Sequence, residues 1–398
     1  MASAAGVIAQ TENAFFPVFT RHDVVVDRAD GWRVWDTDGR EYLDLTSGWG
    51  VTCLGHCHPA LVDGISRQLR RCLQAPNCNL SYTPIQAEAV DRLVKAAPTG
   101  LTRAFLTNSG AEATEGAIKL VRRATGKTGI IATHGGFHGR TLGAASITSG
   151  EGYRVPFGPL VPGASFVAFG DAGAAEAAIG DDTGGLIVEP VQGEGGVNVP
   201  PDGYLRALRE IADRRGVLLI LDEIQTGIGR TGTMFACERE AVTPDIMLLG
   251  KCLGGGFPVG AILVTDGVSS TIQKGDHGGT YAGSPLASAA VVAVLSELED
   301  GAVLANCLAM GELASDRLVA LRRDAPAKIV DIRGAGLLLG CELVSPELAS
   351  DVAARCLEAG VLVNVAQQRI LRLFPCLNID PRALTRGLDV IGEAVRAA

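Results

Sequence analysis

A series of short apolar runs between residues 103 and 264 constrains the fold of this chain more than any other feature. Each run is bounded by Gly, Pro or polar residues, and amphipathic segments separate the runs. This alternation is typical of parallel strands joined by crossover helices, so it predicts an α/β fold. The predicted strands are Arg103–Thr107, Ile130–Thr133, Leu186–Glu189, Val217–Asp222, Ile246–Leu249 and Ala261–Val264.

The sequence changes in character after about Ser284, where a long stretch of Ala, Leu, Val and Glu is followed by further apolar runs. This predicts a second, smaller α+β domain, as the length of 398 residues also suggests. N-terminal runs broken by Asp-Gly pairs predict hairpins that join that domain. We therefore expect an N-terminal segment at 1–50, a large domain at 51–285 and a small domain at 286–398. The strands of the N-terminal segment and of the small domain are predicted at Val24–Asp30, Trp32–Asp36, Tyr42–Asp44, Ile329–Ile332, Leu337–Val344, Val361–Val365 and Ile370–Phe374.

The charge and hydropathy of the chain exclude several classes of protein. A formal net charge of -9 argues against a broad nucleic-acid surface, which needs clustered Lys and Arg. No apolar run reaches the roughly 18 residues of a membrane span, and the first residues lack the basic and apolar regions of a secretion signal. We expect a cytoplasmic protein whose partners are small molecules.

The ten cysteines are scattered along the chain, which indicates reduced core residues rather than a disulfide framework. Cys53, His56, Cys57 and His58 lie close enough together to suggest zinc ligands. No second pair of ligands follows at a familiar spacing, so we expect no metal site.

The segment from Asn108 to Glu112 follows one predicted strand and begins a helix. Free backbone N–H groups gather at a helix N-terminus, and Gly110 permits close approach, so the segment could hold a phosphate. An ordinary helix cap is the alternative, and the segment alone does not exclude it.

Asp222 and Lys251 each follow the end of a predicted strand, at the sheet edge where ligands bind in open α/β folds. A carboxylate there can keep a pyridine nitrogen protonated, although it could equally cap the next turn. A lysine can form a Schiff base when desolvation lowers its pKa, whereas most lysines are solvated surface charges. The glycines after Lys251 let the backbone pass close to a flat ring.

Together these segments resemble the class III aminotransferases that depend on pyridoxal 5′-phosphate (PLP), the ornithine and acetylornithine group. The resemblance runs through SGWGVTCLGHCHP, TNSGAEATEGAIKLVRR, GGFHGRT, EPVQGEGG, LDEIQTGIGRTG, PDIMLLGKCLGGGFPVGA, HGGTYAGSPLA, RGAGLLLG and RLFPCLNI. It implies PLP transferase fold type I: a large domain with a mainly parallel central sheet and helices on both faces, plus a smaller α+β domain.

The resemblance also implies which residues hold the cofactor. Lys251 would be joined covalently to it, Asp222 would pair with the pyridine nitrogen, and Gln225 would reach the ring hydroxyl. Ile224 would pack beneath the ring, and Phe137 would stack on its other face.

The phosphate-binding residues implied by the resemblance are Ser109, Gly110 and Ala111. Thr280 would reach the phosphate of the neighbouring subunit, which implies a homodimer with shared active sites.

The substrate-binding residues implied in the same way are Arg140, Arg372, Glu194 and Trp49. Arg140 would bind the α-carboxylate of the amino donor, and Arg372 a carboxylate of 2-oxoglutarate. Glu194 would pair with Arg372 whenever an ω-amino donor is bound. Trp49 would line the substrate entrance.

The chain departs from the family pattern at several positions. Gly250 stands where the family usually has Ala, and Gly279–Ser284 replaces the usual Ser-Thr-Phe-Gly-Gly-Asn. Trp49 is larger than the residue common in acetylornithine enzymes. These differences affect the expected phosphate contacts and the expected amino donor, not the cofactor.

We therefore expect an aminotransferase that moves the terminal amino group of N-acetylornithine, or of a related ω-amino donor, to 2-oxoglutarate by a ping-pong mechanism. This would belong to arginine biosynthesis. One alternative keeps the cofactor but changes the donor to ornithine, succinylornithine, 4-aminobutyrate or a specialised-metabolite amine, or changes the reaction to racemisation or decarboxylation. A non-catalytic relative that binds partners is the other alternative.

Overall fold

The structure is a computed structural model that describes residues 3–75 and 80–398. Its strands are β1 Val26–Asp30, β2 Arg33–Asp36, β3 Glu41–Asp44, β4 Leu101–Thr107, β5 Gly129–Thr133, β6 Ala164–Val167, β7 Thr183–Val188, β8 Leu218–Asp222, β9 Ile246–Leu249, β10 Gly260–Thr265, β11 Ile329–Ala335, β12 Leu338–Leu343, β13 Val361–Leu362, β14 Asn364–Ala366 and β15 Ile370–Leu373.

Its helices are α1 Ala4–Ala14, α2 Ser47–Gly50, α3 Pro59–Arg71, α4 Pro84–Ala96, α5 Gly110–Thr125, α6 Leu142–Ser146, α7 Ala172–Ala177, α8 Tyr204–Arg215, α9 Asp266–Ser269, α10 Pro285–Leu298, α11 Ala302–Asp324, α12 Pro346–Glu358 and α13 Pro381–Ala397. None of these helices, within the described ranges, is both long and apolar enough to cross a membrane.

The central sheet has the strand order β4-β10-β9-β8-β7-β5-β6. All neighbouring strands are parallel except β10, which runs antiparallel to both β4 and β9. Each of the six apolar runs predicted from the sequence forms one of these strands. The prediction missed β6, a four-residue edge strand whose side chains are only partly buried and therefore leave a weak apolar pattern.

Side chains that alternate along the strands pack into two layers of apolar core. Ile220 of β8 packs with Ile118 and Val121 of α5 on one face, whereas Leu219 and Leu221 face the other layer. The second layer includes Leu205, Leu208 and Ile211 of α8, which recur at helical spacing. The sheet is thus covered by helices on both faces, as the sequence predicted.

The C-terminal part contains an antiparallel sheet, β11-β12-β15-β14. A further sheet, β1-β2-β3-β13, joins the N-terminal strands to this C-terminal part, since β13 pairs in parallel with β3. The single strand predicted at Val361–Val365 is wrong: the run is divided into β13 and β14, which pair in different sheets. An apolar run shows that a segment is buried, but its pairing partner depends on residues far away in the sequence. The pairing of β3 with β13 links the N-terminal segment to the C-terminal part, and the division at 1–50, 51–285 and 286–398 stays a proposal.

The direction of the central strands determines where polar side chains gather. The carboxyl ends of β5, β7, β8 and β9 meet at one edge of the sheet. Because β10 is antiparallel, it begins at this same edge, directly after the segment that carries Lys251.

Candidate active site

A cavity of about 330 Å³ opens at this edge of the sheet. Nine of its lining residues were predicted from the sequence; His138, Gly139 and Glu189 were not. The predicted ones are Gly110, Ala111, Phe137, Arg140, Glu194, Asp222, Ile224, Gln225 and Lys251. The structure therefore brings together side chains that are separated by more than a hundred residues in the sequence.

Asp222 ends strand β8 and is almost completely buried. Its Oδ2 lies 2.6 Å from Nδ1 of His138, and its Oδ1 accepts the backbone N–H of Ile224 at 3.0 Å. Burial lowers the pKa of His138, but the hydrogen bond and the charge of Asp222 outweigh it and raise that pKa. Asp222 therefore presents a carboxylate on the cavity wall, and the His138 imidazole beside it is more readily protonated than a free imidazole.

Lys251 follows β9 in a backbone conformation with a φ of 43°, which is unusual for a residue other than glycine. Its Nζ donates a hydrogen bond to Oε1 of Gln225. Burial is the main cause that lowers the pKa of Lys251, and the nearby charge of Arg372 acts in the same direction. A lysine amine in this setting is more readily neutral, and hence nucleophilic, than an amine in water.

The N-terminus of α5 faces the cavity at Gly110 and Ala111. Ser109 caps the helix, its Oγ accepting the N–H of Glu112 at 3.2 Å. Within the described ranges, the backbone N–H groups of Gly110 and Ala111 donate no hydrogen bond. A Cβ added at Gly110 would lie 2.7 Å from Cδ1 of Ile224, so only glycine lets these donors come so near to Ile224.

Glu194 and Arg372 form an ion pair at the side of the cavity, with Nη1 of Arg372 2.8 Å from Oε1 of Glu194. Arg372 is only 1% exposed, and its Nε donates to Oδ1 of Asn364 at 3.0 Å. Burial raises the pKa of Glu194, but the charges of Arg372 and Lys251 and the hydrogen bonds it accepts hold the pKa below its ordinary value. Glu194 is therefore ionised at neutral pH.

Trp49 belongs to the short turn α2, which the sequence did not predict. The φ angles of Ser47, Gly48, Trp49 and Gly50 are 46°, 56°, 72° and 73°, so the turn is left-handed. Such a conformation is costly for Ser47 and Trp49, which carry a Cβ. The turn leaves the indole 52% exposed and directs its Nε1 to Oε1 of Glu194, at 3.0 Å.

The remaining wall of the cavity carries Phe137 and Arg140. The ring of Phe137 meets that of Tyr153 edge to face, with centroids 5.4 Å apart. The guanidinium of Arg140 lies 4.7 Å from the centroid of the same tyrosine ring. Tyr153 thus supports both side chains from one side, a contact that the sequence pattern did not reveal.

Thr280 does not line this cavity; its carbonyl accepts a hydrogen bond from Nε2 of Gln74 at 3.0 Å. Cys53 and His56 also lie elsewhere: the thiol of Cys53 donates to the carbonyl of Cys252, and His56 Nε2 lies 2.8 Å from Oδ2 of Asp44. In the part of the chain that the structure describes, no group of three or more His, Cys, Asp or Glu is arranged to hold a metal ion.

Sequence reasoning missed two buried ionisable residues of the cavity, His138 and Glu189. Glu189 follows β7, where burial is the main cause that raises its pKa to about 7, and the charge of Asp222 adds to this effect. Both could have been found: Glu189 closes the predicted strand Leu186–Glu189, and His138 stands between Phe137 and Arg140 in the sequence. Each was overlooked because it stands in a segment where another residue has a more obvious role.

These groups fit PLP. The cavity offers a desolvated lysine amine, a buried carboxylate for a protonated ring nitrogen, and free N–H groups at a helix N-terminus for a phosphate. Nε2 of Gln225 is buried without a hydrogen-bond partner among the described residues, which leaves a donor for a ring hydroxyl.

Comparison with known proteins agrees with this geometry. Residues 18–395 match the family described as Aminotransferase class-III. The acetylornithine aminotransferase of Methanopyrus kandleri is 46% identical over 380 residues, 96% of either chain. The structure of the Toxoplasma gondii ornithine aminotransferase superposes with a TM-score of 0.94 at 32% identity, covering 100% of this chain and 96% of the other. That of the Stenotrophomonas maltophilia N-acetylornithine aminotransferase gives 0.84 at 33% identity, covering 98% of both.

Proposed function

Because the chain belongs to the class III aminotransferases, we propose that it transfers the terminal amino group of N-acetylornithine, or of a closely related ω-amino donor, to 2-oxoglutarate. The ion pair between Glu194 and the buried Arg372, beside Lys251, carries this proposal. The cavity must first accept a donor that has no carboxylate at its reacting end, and then a dicarboxylic oxo acid. It therefore needs a cation, here Arg372, whose charge Glu194 can neutralise for the first substrate and leave free for the second. The names of the relatives support the donor.

The cofactor we propose is PLP, joined to Lys251. The residues that would hold it are Ser109, Gly110 and Ala111 at its phosphate, Asp222 and Gln225 at its ring atoms, and Ile224 and Phe137 on its faces. When bound, PLP supplies a carbonyl that takes up the amino group and a ring that withdraws electrons from the substrate carbon. Asp222 would keep the ring nitrogen protonated, and His138 would hold Asp222 in place.

Lys251 would move the proton during the reaction. With the donor bound, its neutral amine would take a proton from the substrate carbon and later give it up again. Burial favours the neutral form of this amine, and Gln225 orients it through the hydrogen bond from Nζ. The walls that bury the amine also limit the water that could compete for the proton.

Arg140 and Arg372 would divide the substrate carboxylates between them. Arg140 is exposed at the cavity wall and would bind the α-carboxylate of the donor. While this donor is bound, Glu194 neutralises Arg372. A carboxylate of 2-oxoglutarate then replaces Glu194 on Arg372, so that one pocket serves two unlike substrates.

The active unit would be a homodimer in which Thr280 contacts the phosphate bound by the partner subunit. Exposed apolar side chains support an interface: Tyr281, next to Thr280, is 63% exposed, and Leu80 and Tyr82 are 82% and 101% exposed. Exposed apolar side chains that cluster on a surface commonly mark protein contacts. Sedimentation velocity on the wild type and on a Tyr82→Glu variant would test the dimer: the wild type should sediment as a dimer and the variant should dissociate more readily.

The experiment that tests the function is glutamate formation from 2-oxoglutarate with N-acetylornithine, N-succinylornithine, ornithine, 4-aminobutyrate and lysine, each offered separately at one concentration. We expect N-acetylornithine to give the highest kcat/KM. Faster reaction with another amine would overturn the proposed donor, and Trp49 at the entrance would then be the first residue to examine. No glutamate from any of the five would overturn the transamination itself.

A further inference from the structure

Glu189 is a buried carboxylate to which the mechanism above gives no task. It directly follows β7 and is 4% exposed. Its Oε1 accepts the backbone N–H of Phe137 at 2.9 Å, and its Oε2 accepts that of Gly193 at 3.1 Å. Both oxygens therefore accept from the backbone rather than from a cation, although a buried carboxylate is costly without compensation.

The two N–H groups belong to two separate segments of the cavity wall. Phe137 carries the aromatic ring that we assign to one face of the cofactor. Gly193 directly precedes Glu194, which pairs with Arg372. One side chain thus joins a segment that meets the cofactor to a segment that selects between substrates.

Gly193 has little freedom to move independently of its hydrogen bond to Glu189. A Cβ added there would lie 2.9 Å from Cγ of Gln225, so the backbone packs directly on the side chain that holds Lys251. A shift of Gly193 would move the backbone of Glu194 with it. The distance between Nη1 of Arg372 and Oε1 of Glu194 is only 2.8 Å, and an ion pair of this kind is sensitive to small displacements.

We propose that Glu189 is a positioning residue that couples the cofactor-binding segment at Phe137 to the substrate-selecting segment at Glu194, by accepting one backbone N–H from each. In the ionised form of Glu189 both oxygens accept, so the test is made at about pH 8, above its pKa of about 7. Glutamine has a single acceptor oxygen, and its amide nitrogen would face an N–H donor, so Glu189→Gln breaks one of the two bonds. Glu189→Asp keeps the charge but is one methylene too short to reach both donors.

The test measures binding of PLP alone to the apoenzyme, and then the KM of each substrate, in the wild type, Glu189→Gln and Glu189→Asp. Glu223→Gln is the matched control. Glu223 is equally buried and accepts the N–H groups of Ala236 and Cys237 at 3.0 and 2.8 Å, but it does not line the cavity. Each variant is first checked for a cooperative thermal transition, and Glu189→Asp replaces Glu189→Gln if the latter fails to fold.

We expect Glu189→Gln to raise the Kd for PLP and the KM of the amino donor by about fivefold or more, as the loss of a hydrogen bond predicts. The KM of the oxo acid should not rise, because a displaced Glu194 leaves Arg372 free for a carboxylate. The control should lose thermal stability without these changes. The coupling is overturned if Glu189→Gln lowers stability but leaves either the Kd for PLP or the donor KM within about twofold of wild type.

The substrate half of this test rests on the proposed function, whereas the PLP half does not. Hydrogen exchange of the apoenzyme adds a measurement that needs neither substrate nor activity. Peptides that contain the amides of Phe137 and Gly193 should exchange faster in Glu189→Gln than in Glu223→Gln. Unchanged exchange at both amides would overturn the proposal even if the donor proves to be a different amine.

Discussion

Trp49 donates its indole N–H to the same oxygen of Glu194 that accepts the hydrogen bond from Arg372. Glu194 is thereby held by two donors that lie in different parts of the chain. A carboxylate that competes for Arg372 must displace Glu194 from both of them, so Trp49 stabilises the state in which Arg372 is neutralised. Through Glu194, Trp49 would therefore influence the choice of substrate that we propose for Arg372.

Replacing Trp49 with Phe keeps an aromatic ring but removes this donor. We expect the KM of the oxo acid to fall by roughly threefold to tenfold, the effect of losing one partly exposed hydrogen bond to a charged group. The measurement is the half-reaction of the aminated enzyme with 2-oxoglutarate, followed by absorbance. Trp49→Tyr is the control, because its hydroxyl can still donate. An unchanged half-reaction in Trp49→Phe would show that the indole only fills space.

Replacing Lys251 with Ala should abolish turnover while some PLP stays bound, because Asp222, Gln225 and the N-terminus of α5 remain. Borohydride reduction followed by mass spectrometry checks the assignment. The wild type should gain a stable pyridoxyl group on the peptide that contains Lys251, and the variant should gain none. Repeated turnover by the variant would refute the role of Lys251.

Replacing His138 with Leu removes the buried partner of Asp222. We expect kcat to fall by roughly tenfold or more, because a hydrogen bond to an ionised group is lost next to the proposed ring-nitrogen site. His138→Asn can still donate to Asp222 and should retain most of the activity. Equal loss in both variants would mean that the imidazole serves packing alone.

The pH dependence of stability should report on Glu189. His138, Asp222 and Lys251 face its carboxyl group, and burial, with the charge of Asp222, raises its pKa from 4.5 to about 7. The folded state therefore keeps a proton that the unfolded state loses near pH 4.5, so the free energy of unfolding falls as pH rises from about 4.5 to 7 and then levels off.

At roughly 1.4 kcal/mol per pKa unit, this loss is on the order of 3 kcal/mol. Urea unfolding of the apoenzyme at several pH values measures it. Glu189→Gln should show a flatter dependence over this range, since glutamine does not titrate. Parallel curves for the wild type and the variant would contradict the raised pKa.

Local pattern was sufficient to predict the residues that sit at the ends of strands. Asp222 follows a fully apolar run and Lys251 follows another, so their sheet edge could be inferred from the sequence. The resemblance to a known family supplied roles that no pattern gives, such as that of Arg372. β6 is short and only partly buried, so it has few apolar residues and was not predicted as a strand.

Relationships between distant residues could not be predicted from the residues alone. Asp222 and His138 are 84 positions apart, and Glu194 and Arg372 are 178 apart. Their contacts exist because strand order brings separate loops to one edge, and strand order is a property of the whole sheet. The left-handed turn at Trp49 was missed as well, because Ser47 and Trp49 adopt positive φ angles that residues with a Cβ rarely adopt.

The antiparallel direction of β10 restricts where the length of this chain can change. Leu249 at the end of β9 is paired with Ala261 near the start of β10, so the segment that bears Lys251 is a short link whose two ends are fastened side by side. Gly250 and Cys252–Gly255 are buried, so an insertion among them would push into the core. Laboratory evolution should therefore accept substitutions between residues 250 and 255 more readily than any change in the length of this segment.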